Sequence, residues 1–476
     1  MFLSARLWGF PPARIPASIL AMKPAFPQQR TTIFAPATTP GKSGIAIVRV
    51  SGPGAKSAIE ALTASACPPP RYAALRKIMV PKTNDVIDKG LVLFFPAPHS
   101  FTGEDIAEFH LHGSRAILNL MLATLAKFDG FRPAEAGEFS RRAFENGQMD
   151  LTQIEGLADL IDAETALQQK QAMRQMEGEL GKLYNGWRDQ LLGIMALIEA
   201  YIDFPDEDLP ESLKEEFVAS VSFLMKALEV HMKDTRGETL RAGVVITILG
   251  APNSGKSTLL NWLAKRDVAI VSHIAGTTRD VIEVQMDLVG FPVTLCDTAG
   301  LRETDDVIES EGIRRAIEKS THADINLVLF DAATYPNKLD ATSLGLLNSN
   351  SIVLLTKADM ATLPTGRATV GGHKALTVSV TSGLGLGAII SAITTKLGEL
   401  YSPGAEPSLT RERHRQLIAE CHENLRRFVY SIQSQYPAEL SAEEARSAVQ
   451  SLGKITGKID IEEILDAIFS KFCIGK

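Results

Sequence analysis

A lysine and a serine close the stretch GAPNSGKS, residues 250–257, which fits the pattern GxxxxGK[ST]. Such a stretch can bind the phosphates of a nucleotide. Glycines at 250 and 255 let the backbone curl until its N–H groups converge on phosphate oxygens. The helix N-terminus that follows adds its positive dipole end. Lys256 places a point charge on the β- and γ-phosphates, and Ser257 offers a hydroxyl to Mg²⁺. Asn253, Ser254, Gly255 and Thr258 complete the loop and the first helical turn.

Three further stretches sharpen that chemistry. DTAG, residues 297–300, follows the apolar run VTLC. Asp297 can hold Mg²⁺ through water, and the Gly300 N–H, following Thr298 and Ala299, can meet the γ-phosphate. In TKAD, residues 356–359, Asp359 can accept both the N1–H and the exocyclic amine of guanine, which adenine cannot satisfy. Lys357 belongs to the same loop. Thr356 stands where GTPases usually carry asparagine, so one amide that braces this loop is missing and a lower affinity is expected. SVTSG, beginning at Ser379, resembles the last base-contacting loop. Between the phosphate loop and DTAG, IAGTTRD at residues 274–280 offers Thr277 and Thr278, the latter as a second Mg²⁺ hydroxyl on a loop that orders around the γ-phosphate. The position after DTAG is Leu301, which can neither orient nor deprotonate water.

These groups need a scaffold of strands ending where the loops begin. VVITIL, VTLCD, INLVLF, SIVLL and ALTVS are short apolar runs separated by helix-length segments, the mark of a doubly wound, mostly parallel sheet. Before residue 242 the text is helical. Leu151, Ile154, Leu157, Ala158 and Ile161 recur at helical spacing, as do Leu180, Leu183, Trp187, Leu191 and Leu192. Pro205 and Pro210 interrupt this run in an acidic loop, and a further helix covers about 215–233. Helical text resumes at Leu409, so the α/β domain reads as inserted into a helical one. Residues 31–145 mix short β-branched runs, 44–50 and 90–95, with a helix over 114–128, and predict an α+β domain.

Composition sets the outer limits. A chain of 476 residues implies about three domains. No apolar run reaches the ~18 residues of a membrane span. The net charge of −7 disfavours a large basic field for bulk nucleic acid. Four cysteines, Cys67, Cys296, Cys421 and Cys473, make no CxxC pair, which fits a reducing compartment and suggests neither a disulfide framework nor zinc. The first thirty residues hold Arg6, Arg14, Lys23 and Arg30 with no acidic residue, as in an organelle transit peptide. Their five prolines favour instead an unstructured extension, with Met22 as an alternative start.

Taken with AGEFSRRAFENGQMDL, FTGEDIAEFHLHG, IDFPDED and the terminal CIGK, the motifs GAPNSGKSTLLN, IAGTTRDV and DTAGLRET resemble the MnmE (TrmE) family of tRNA-modification GTPases, from about residue 31 to the end. The resemblance implies a division into residues 1–30, an extension or targeting segment; 31–148, a folate-binding and dimerisation domain; 149–242 and 401–476, the two parts of a helical domain; and 243–400, the GTPase domain. It implies a homodimer that, with the FAD-dependent partner MnmG, modifies the wobble uridine of certain tRNAs at C5. A 5-formyl or 5,10-methylene tetrahydrofolate gives the one-carbon unit, and the product carries an aminomethyl or carboxymethylaminomethyl group. It further implies K⁺ held by Asn253, Ser272, Ile274 and Thr277 in place of an arginine finger, and Glu309 orienting water where Leu301 cannot. Arg49, Glu108, Gln148 and Lys476 carry over as folate contacts, with Gln148 standing where a lysine is common. Cys473 carries over as a residue of the modification chemistry. A cytoplasmic location follows, or a mitochondrial one if residues 1–30 direct import.

Residue types alone say less at several of these positions. Arg49 would read as a surface residue and Glu309 as part of a solvated acidic face. His110 and His112 would read as packing or loop contacts, and Cys473 as a small buried hydrophobe. The alternative function is a ribosome-assembly GTPase switch without covalent RNA chemistry. It is disfavoured by a helical C-terminal segment that ends in CIGK.

Overall fold

The structure is a computed structural model that describes residues 31–202, 211–266, 283–297, 318, 320–361, 368–401, 404, 406–459, 465, 468–469, 472 and 475. It divides into two compact units. One holds the chain up to Ile154 with Tyr184–Ser222 and Glu423–Lys476, and the other holds Glu155–Leu183 and Phe223–His422.

The first unit is built on a six-stranded sheet. Its strands are β1 (Thr32–Pro36), β2 (Ser43–Ser51), β3 (Ala74–Met79), β4 (Val86–Phe95), β5 (Ile106–Gly113) and β6 (Phe131–Pro133), in spatial order β3-β4-β5-β2-β1-β6. Helices α1 (Ala55–Thr63) and α2 (Arg115–Leu125) cover one face, and α3 (Glu138–Glu145) follows β6. Strand alternation decides what each face carries. Val48, Val50, Val92, Phe94, Phe109 and Leu111 point into the core with Ile59 and Leu62 of α1 and Met121 and Leu125 of α2. On the opposite face Ile47, His110, Leu91 and Leu75 line up across four strands. There Ile45, Leu75 and Leu91 are 63 %, 56 % and 39 % exposed.

The helices α4 (Leu151–Asp162), α5 (Ala166–Met176), α6 (Glu179–Ile202), α7 (Glu211–Lys233) and α8 (Arg236–Ala242) come next. The predicted acidic loop with Pro205 and Pro210 lies outside the described residues, between the end of α6 and the start of α7 in sequence. Helix α5 opens on a capping box: the Thr165 hydroxyl accepts from the Gln168 N–H and the Gln168 side chain accepts from the Thr165 N–H.

The second unit centres on a seven-stranded sheet. Its strands are β7 (Val244–Gly250), β8 (Glu283–Leu288), β9 (Phe291–Asp297), β10 (Ile325–Asp331), β11 (Ser351–Thr356), β12 (Thr369–Val370) and β13 (His373–Thr377), in order β12-β13-β11-β10-β7-β9-β8. The five expected strands, β7, β9, β10, β11 and β13, are mutually parallel, while β8 and β12 lie antiparallel at the edges. Helices α9 (Lys256–Arg266), α10 (Ala341–Gly345) and α11 (Leu386–Tyr401) accompany them. Along β10, Leu327 and Leu329 enter one core with Leu259 and Leu263 of α9 and Ile389 and Ile393 of α11. Val328 and Phe330 enter the other with Val353 and Leu355. Burial on both faces is why these strands read as unbroken apolar runs. The chain continues through α12 (Glu412–Gln433) and α13 (Ala438–Thr456), the helices anticipated after residue 409.

Candidate functional site

The phosphate loop leaves the C-terminal end of β7 and enters α9, as its motif requires. Gly250 has φ of +152°, and a Cβ there would lie 2.6 Å from the Ser254 hydroxyl and 2.7 Å from the Leu329 carbonyl oxygen. Gly255 at +95° and Asn253 at +62° complete a run of left-handed turns that no ordinary strand-to-helix link needs. Lys256 folds back over the loop and donates to the carbonyls of Gly250 (2.8 Å) and Ala251 (2.9 Å). Its ammonium is therefore held at the loop, where a phosphate would meet it. Ser257 and Thr258 lie exposed in the first turn of α9. Asp297 ends β9 in register with Ile248, two residues before Gly250, so the backbone of DTAG starts beside the phosphate loop.

The base side is assembled next to it. Asp359 is exposed on the short 3-10 turn Ala358–Met360 that follows β11. The Ala358 N–H donates to the Val378 carbonyl at 3.1 Å, which joins this turn to the loop beginning at Ser379. The Ser379 hydroxyl is buried and accepts from the Ser382 N–H at 3.2 Å. Lys357, at φ +55°, pairs with Asp331 at the end of β10 (2.7 Å). Burial works against the Asp331 charge, but the Lys357 ammonium and the Ala333 N–H outweigh it and lower its pKa.

Thr356, which lacks the bracing amide, supplies a hydrogen bond of its own. Its hydroxyl lies 2.7 Å from the Ser254 carbonyl oxygen in the phosphate loop and 3.1 Å from that of Phe330. The brace an asparagine amide would supply is replaced by one buried hydroxyl, because the end of β11 packs directly beneath the loop. A Cβ on Gly255 would sit 3.9 Å from that of Thr356.

A second constellation lies on the open face of the six-stranded sheet. Arg49 on β2 and Glu108 on β5 are cross-strand partners. The Arg49 Nε and Nη2 both approach Glu108 Oε1 at 2.9 Å. The guanidinium rests over the rings of Phe101 (5.4 Å) and Phe139 (5.8 Å), a cation–π arrangement. Glu108 Oε2 faces His110 Nε2 at 3.4 Å, and His112 Nδ1 pairs with Asp88 at 2.9 Å. Gln148 packs its amide near Gly103, two residues after Phe101. Gly475 stacks on Pro36 and Ala37, beside the β1 residue that pairs with Arg49. Sequence reasoning did not single out Phe101 or Phe139. Their signal was position inside FTGEDIAEFHLHG and AGEFSRRAFENG. Nor did it find the buried Arg142, which pairs with Glu104 and Glu138.

Ser272, Ile274, Thr277, Thr278, Thr298, Ala299, Gly300, Glu309, Cys473 and Lys476 lie outside the described residues, as does the Asp297 side chain.

Comparison with known proteins locates two family signatures. A GTP-binding protein TrmE N-terminus signature matches residues 32–148, and an MnmE helical domain signature matches residues 151–473. The chain is 50 % identical to the tRNA modification GTPase MnmE of Paramagnetospirillum magneticum over 446 residues, 94 % of this chain and 99 % of that protein. It is 47 % identical to the protein of that name from Parvibaculum lavamentivorans, over 94 % of this chain and 100 % of that one. The corresponding Rickettsia bellii protein is 44 % identical over the same shares.

Proposed function

We infer, from the premise that this chain belongs to the MnmE (TrmE) family of tRNA modification GTPases, that its two constellations serve one reaction on tRNA. The chain is a GTP hydrolase that acts in tRNA modification. The observation that carries the nucleotide reading is the Thr356 hydroxyl bonded to the Ser254 carbonyl. It fixes the loop that receives phosphates to the strand that presents Asp359, so triphosphate and guanine are held by one frame.

Ser257 and Thr278 would hold Mg²⁺, and Asp297 would support it through water. Asn253, Ser272, Ile274 and Thr277 hold K⁺. The exposed, left-handed Asn253 carries an amide oxygen at the rim of the loop, and oxygen donors suit hard cations. Bound there, the two cations would supply positive charge against the charge developing on the γ-phosphate. Lys256 adds its ammonium and Glu309 orients the attacking water. The Arg49 cluster suits a 5-formyl or 5,10-methylene tetrahydrofolate: a guanidinium for its carboxylates, a carboxylate for pterin N–H groups and an aromatic floor. Gln148 lies near it, beside Gly103, and Lys476 and Cys473 join this reading through the family resemblance. Binding requires the folate to take over contacts that Arg49 and Glu108 now make with each other.

The exposed row of Ile45, Leu75 and Leu91 supports a homodimer through this sheet, since an apolar face of this kind calls for a cover. The target is C5 of the wobble uridine, reached with MnmG. Among the described residues no helix is long and apolar enough to cross a membrane. We read the protein as cytoplasmic, or mitochondrial if residues 1–30 direct import.

Nucleoside analysis of tRNA from cells lacking the protein tests the whole. Wobble uridines short of the aminomethyl-type group are expected, and a normal complement would overturn it. For the water-orienting role, Glu309→Ala should cut K⁺-stimulated turnover and leave GTP binding nearly intact.

A further inference from the structure

We propose that the β8–β9 hairpin carries the state of the nucleotide site to helix α5, with Leu167 as the positioning residue that receives it. The inference rests on the GTPase reading and concerns only the second unit.

The hairpin has two ends. At one, β8 starts three residues after the stretch 274–280 and β9 ends on the first residue of DTAG. Both segments that would sense a γ-phosphate thus run directly into it. Its register is unbroken from Glu283 opposite Cys296 to Leu288 opposite Phe291. The ladder is about 20 Å long at ~3.3 Å per residue, and β9 is also paired with β7, from Val293 opposite Val244 to Asp297 opposite Ile248, so a displacement at Asp297 is felt along both ladders. At the other end Val289 (φ +54°) and Gly290 (φ +90°) make a two-residue turn, with both residues in the left-handed region. A β-branched residue in that conformation is an outlier. Packing does not account for it, because Val289 is 64 % exposed.

That turn rests on the start of α5. The first amides of a helix have no partner within it, and the second of them in α5, Leu167 N–H, points to the Gly290 carbonyl at 3.4 Å. A Cβ on Gly290 would touch the Leu167 side chain at 3.5 and 3.8 Å. Leu167 itself packs against the core that holds Leu288 and Phe291. A helical residue more than eighty positions before the phosphate loop therefore packs against the core of the nucleotide domain.

From α5 the connection continues to both crossings of the chain. Gln168 and Gln171 donate to the Arg241 and Gly237 carbonyls of α8, at 3.3 and 2.9 Å. Arg241, three residues before β7, and Arg411, ten residues after α11, meet on one carboxylate oxygen of Asp159, at 2.8 and 2.7 Å. A shift of the hairpin would press on α5, which bonds directly to α8 on the way into the inserted domain and reaches Arg411, on the way out, through Arg241 and Asp159 of α4. Continuity of packing becomes coupling only if α5 responds to nucleotide.

Amide hydrogen exchange of residues 166–176 in the full-length protein, with GDP and with a non-hydrolysable GTP analogue in K⁺, reads that response. In the wild type the exchange of this helix should differ by about five-fold or more between the two states. In Leu167→Ala the difference should collapse while both nucleotides still bind. Leu167→Met, which keeps the volume, should retain it. Equal exchange in both states of the nucleotide-loaded wild type overturns the proposal, and so does a wild-type difference that survives in Leu167→Ala. Failure of the wild type to bind GTP would strike the nucleotide reading instead, and is scored separately in the same samples.

Discussion

The two constellations are made of different material. The phosphate loop is mostly backbone: Gly250, Asn253 and Gly255 hold positive φ within six residues, and side-chain chemistry is confined to Lys256, Ser257 and the Asn253 amide. The Arg49 cluster is side chain. Arg49, Phe101, Glu108 and Phe139 come from four segments spread over ninety residues and meet because β2, β5, a loop and α3 are folded together. A backbone site is fixed by local sterics and tolerates little at its glycines. A side-chain site is fixed by the packing of distant elements and depends on charge balance.

The sharpest break of this contrast is Gly250→Ala. The new Cβ would sit within 2.7 Å of two oxygen atoms, one of them backbone, at a φ that L-residues avoid. GTP affinity measured by titration should fall about 100-fold or more, roughly 2.7 kcal/mol. A near-normal affinity would show that the loop does not depend on its backbone shape.

Charge dependence shows most strongly where side chains are deepest. Glu155 on α4 is 3 % exposed and meets His414 at 2.8 Å, itself fully buried, and Arg413 at 3.1 Å. Glu155→Gln leaves Arg413 without its buried carboxylate partner and should cost about 3–5 kcal/mol in denaturant unfolding. The same cluster sets an acid limit. Burial opposes the Glu155 charge, but His414, Arg413 and Arg411 override it and hold its pKa at about 2. Glu138 beside Arg132 and Arg142 is lowered in the same way. Both have folded values below the ordinary glutamate value of 4.5, so their stabilisation is complete above that pH and is lost as pH falls through the lowered values. Burial lowers His414 as well, so it adds loss once pH drops below its ordinary 6.5. Thermal midpoints should decline from pH 6.5 downward, most steeply below 4.5, and a flat profile would contradict the cluster.

Thr356 joins the two kinds of construction, a side chain that props a backbone loop. Thr356→Val keeps the shape and removes the hydroxyl, leaving the buried Ser254 and Phe330 carbonyls without it. A drop of about ten-fold in GDP affinity is expected, roughly one buried hydrogen bond, with Thr356→Ser near wild type. The smallest effect belongs to Val289. Asparagine tolerates the left-handed turn better than valine, so Val289→Asn should raise unfolding stability by about 1 kcal/mol. No gain would mean the turn is relaxed as it stands.

Legibility followed the same division. The five parallel strands could be read because burial on both faces leaves continuous apolar text, and the phosphate loop because its chemistry lies in eight consecutive residues. Strand β8 escaped because it is an edge strand, with Met286 and Leu288 buried and Val284 packed against the core between polar neighbours, too short a pattern to stand out. Arg49 and Glu108 came only with the family resemblance, since an arginine on a strand does not announce a partner fifty-nine positions away. Phe101, Phe139, Arg142 and Leu167 gave no signal of their own.

The sequence by itself determined the nucleotide-binding motif, the order of elements and the candidacy of Asp359 for reading guanine, because local sterics and periodicity act between near neighbours. Only the tertiary structure decided that a threonine hydroxyl reaches the Ser254 carbonyl in the phosphate loop, that Arg49 is balanced by Glu108 over two rings, and that Leu167 packs against the core of a domain encoded far downstream. Those facts depend on distances through space between positions remote in the chain, and no one-dimensional pattern contains them.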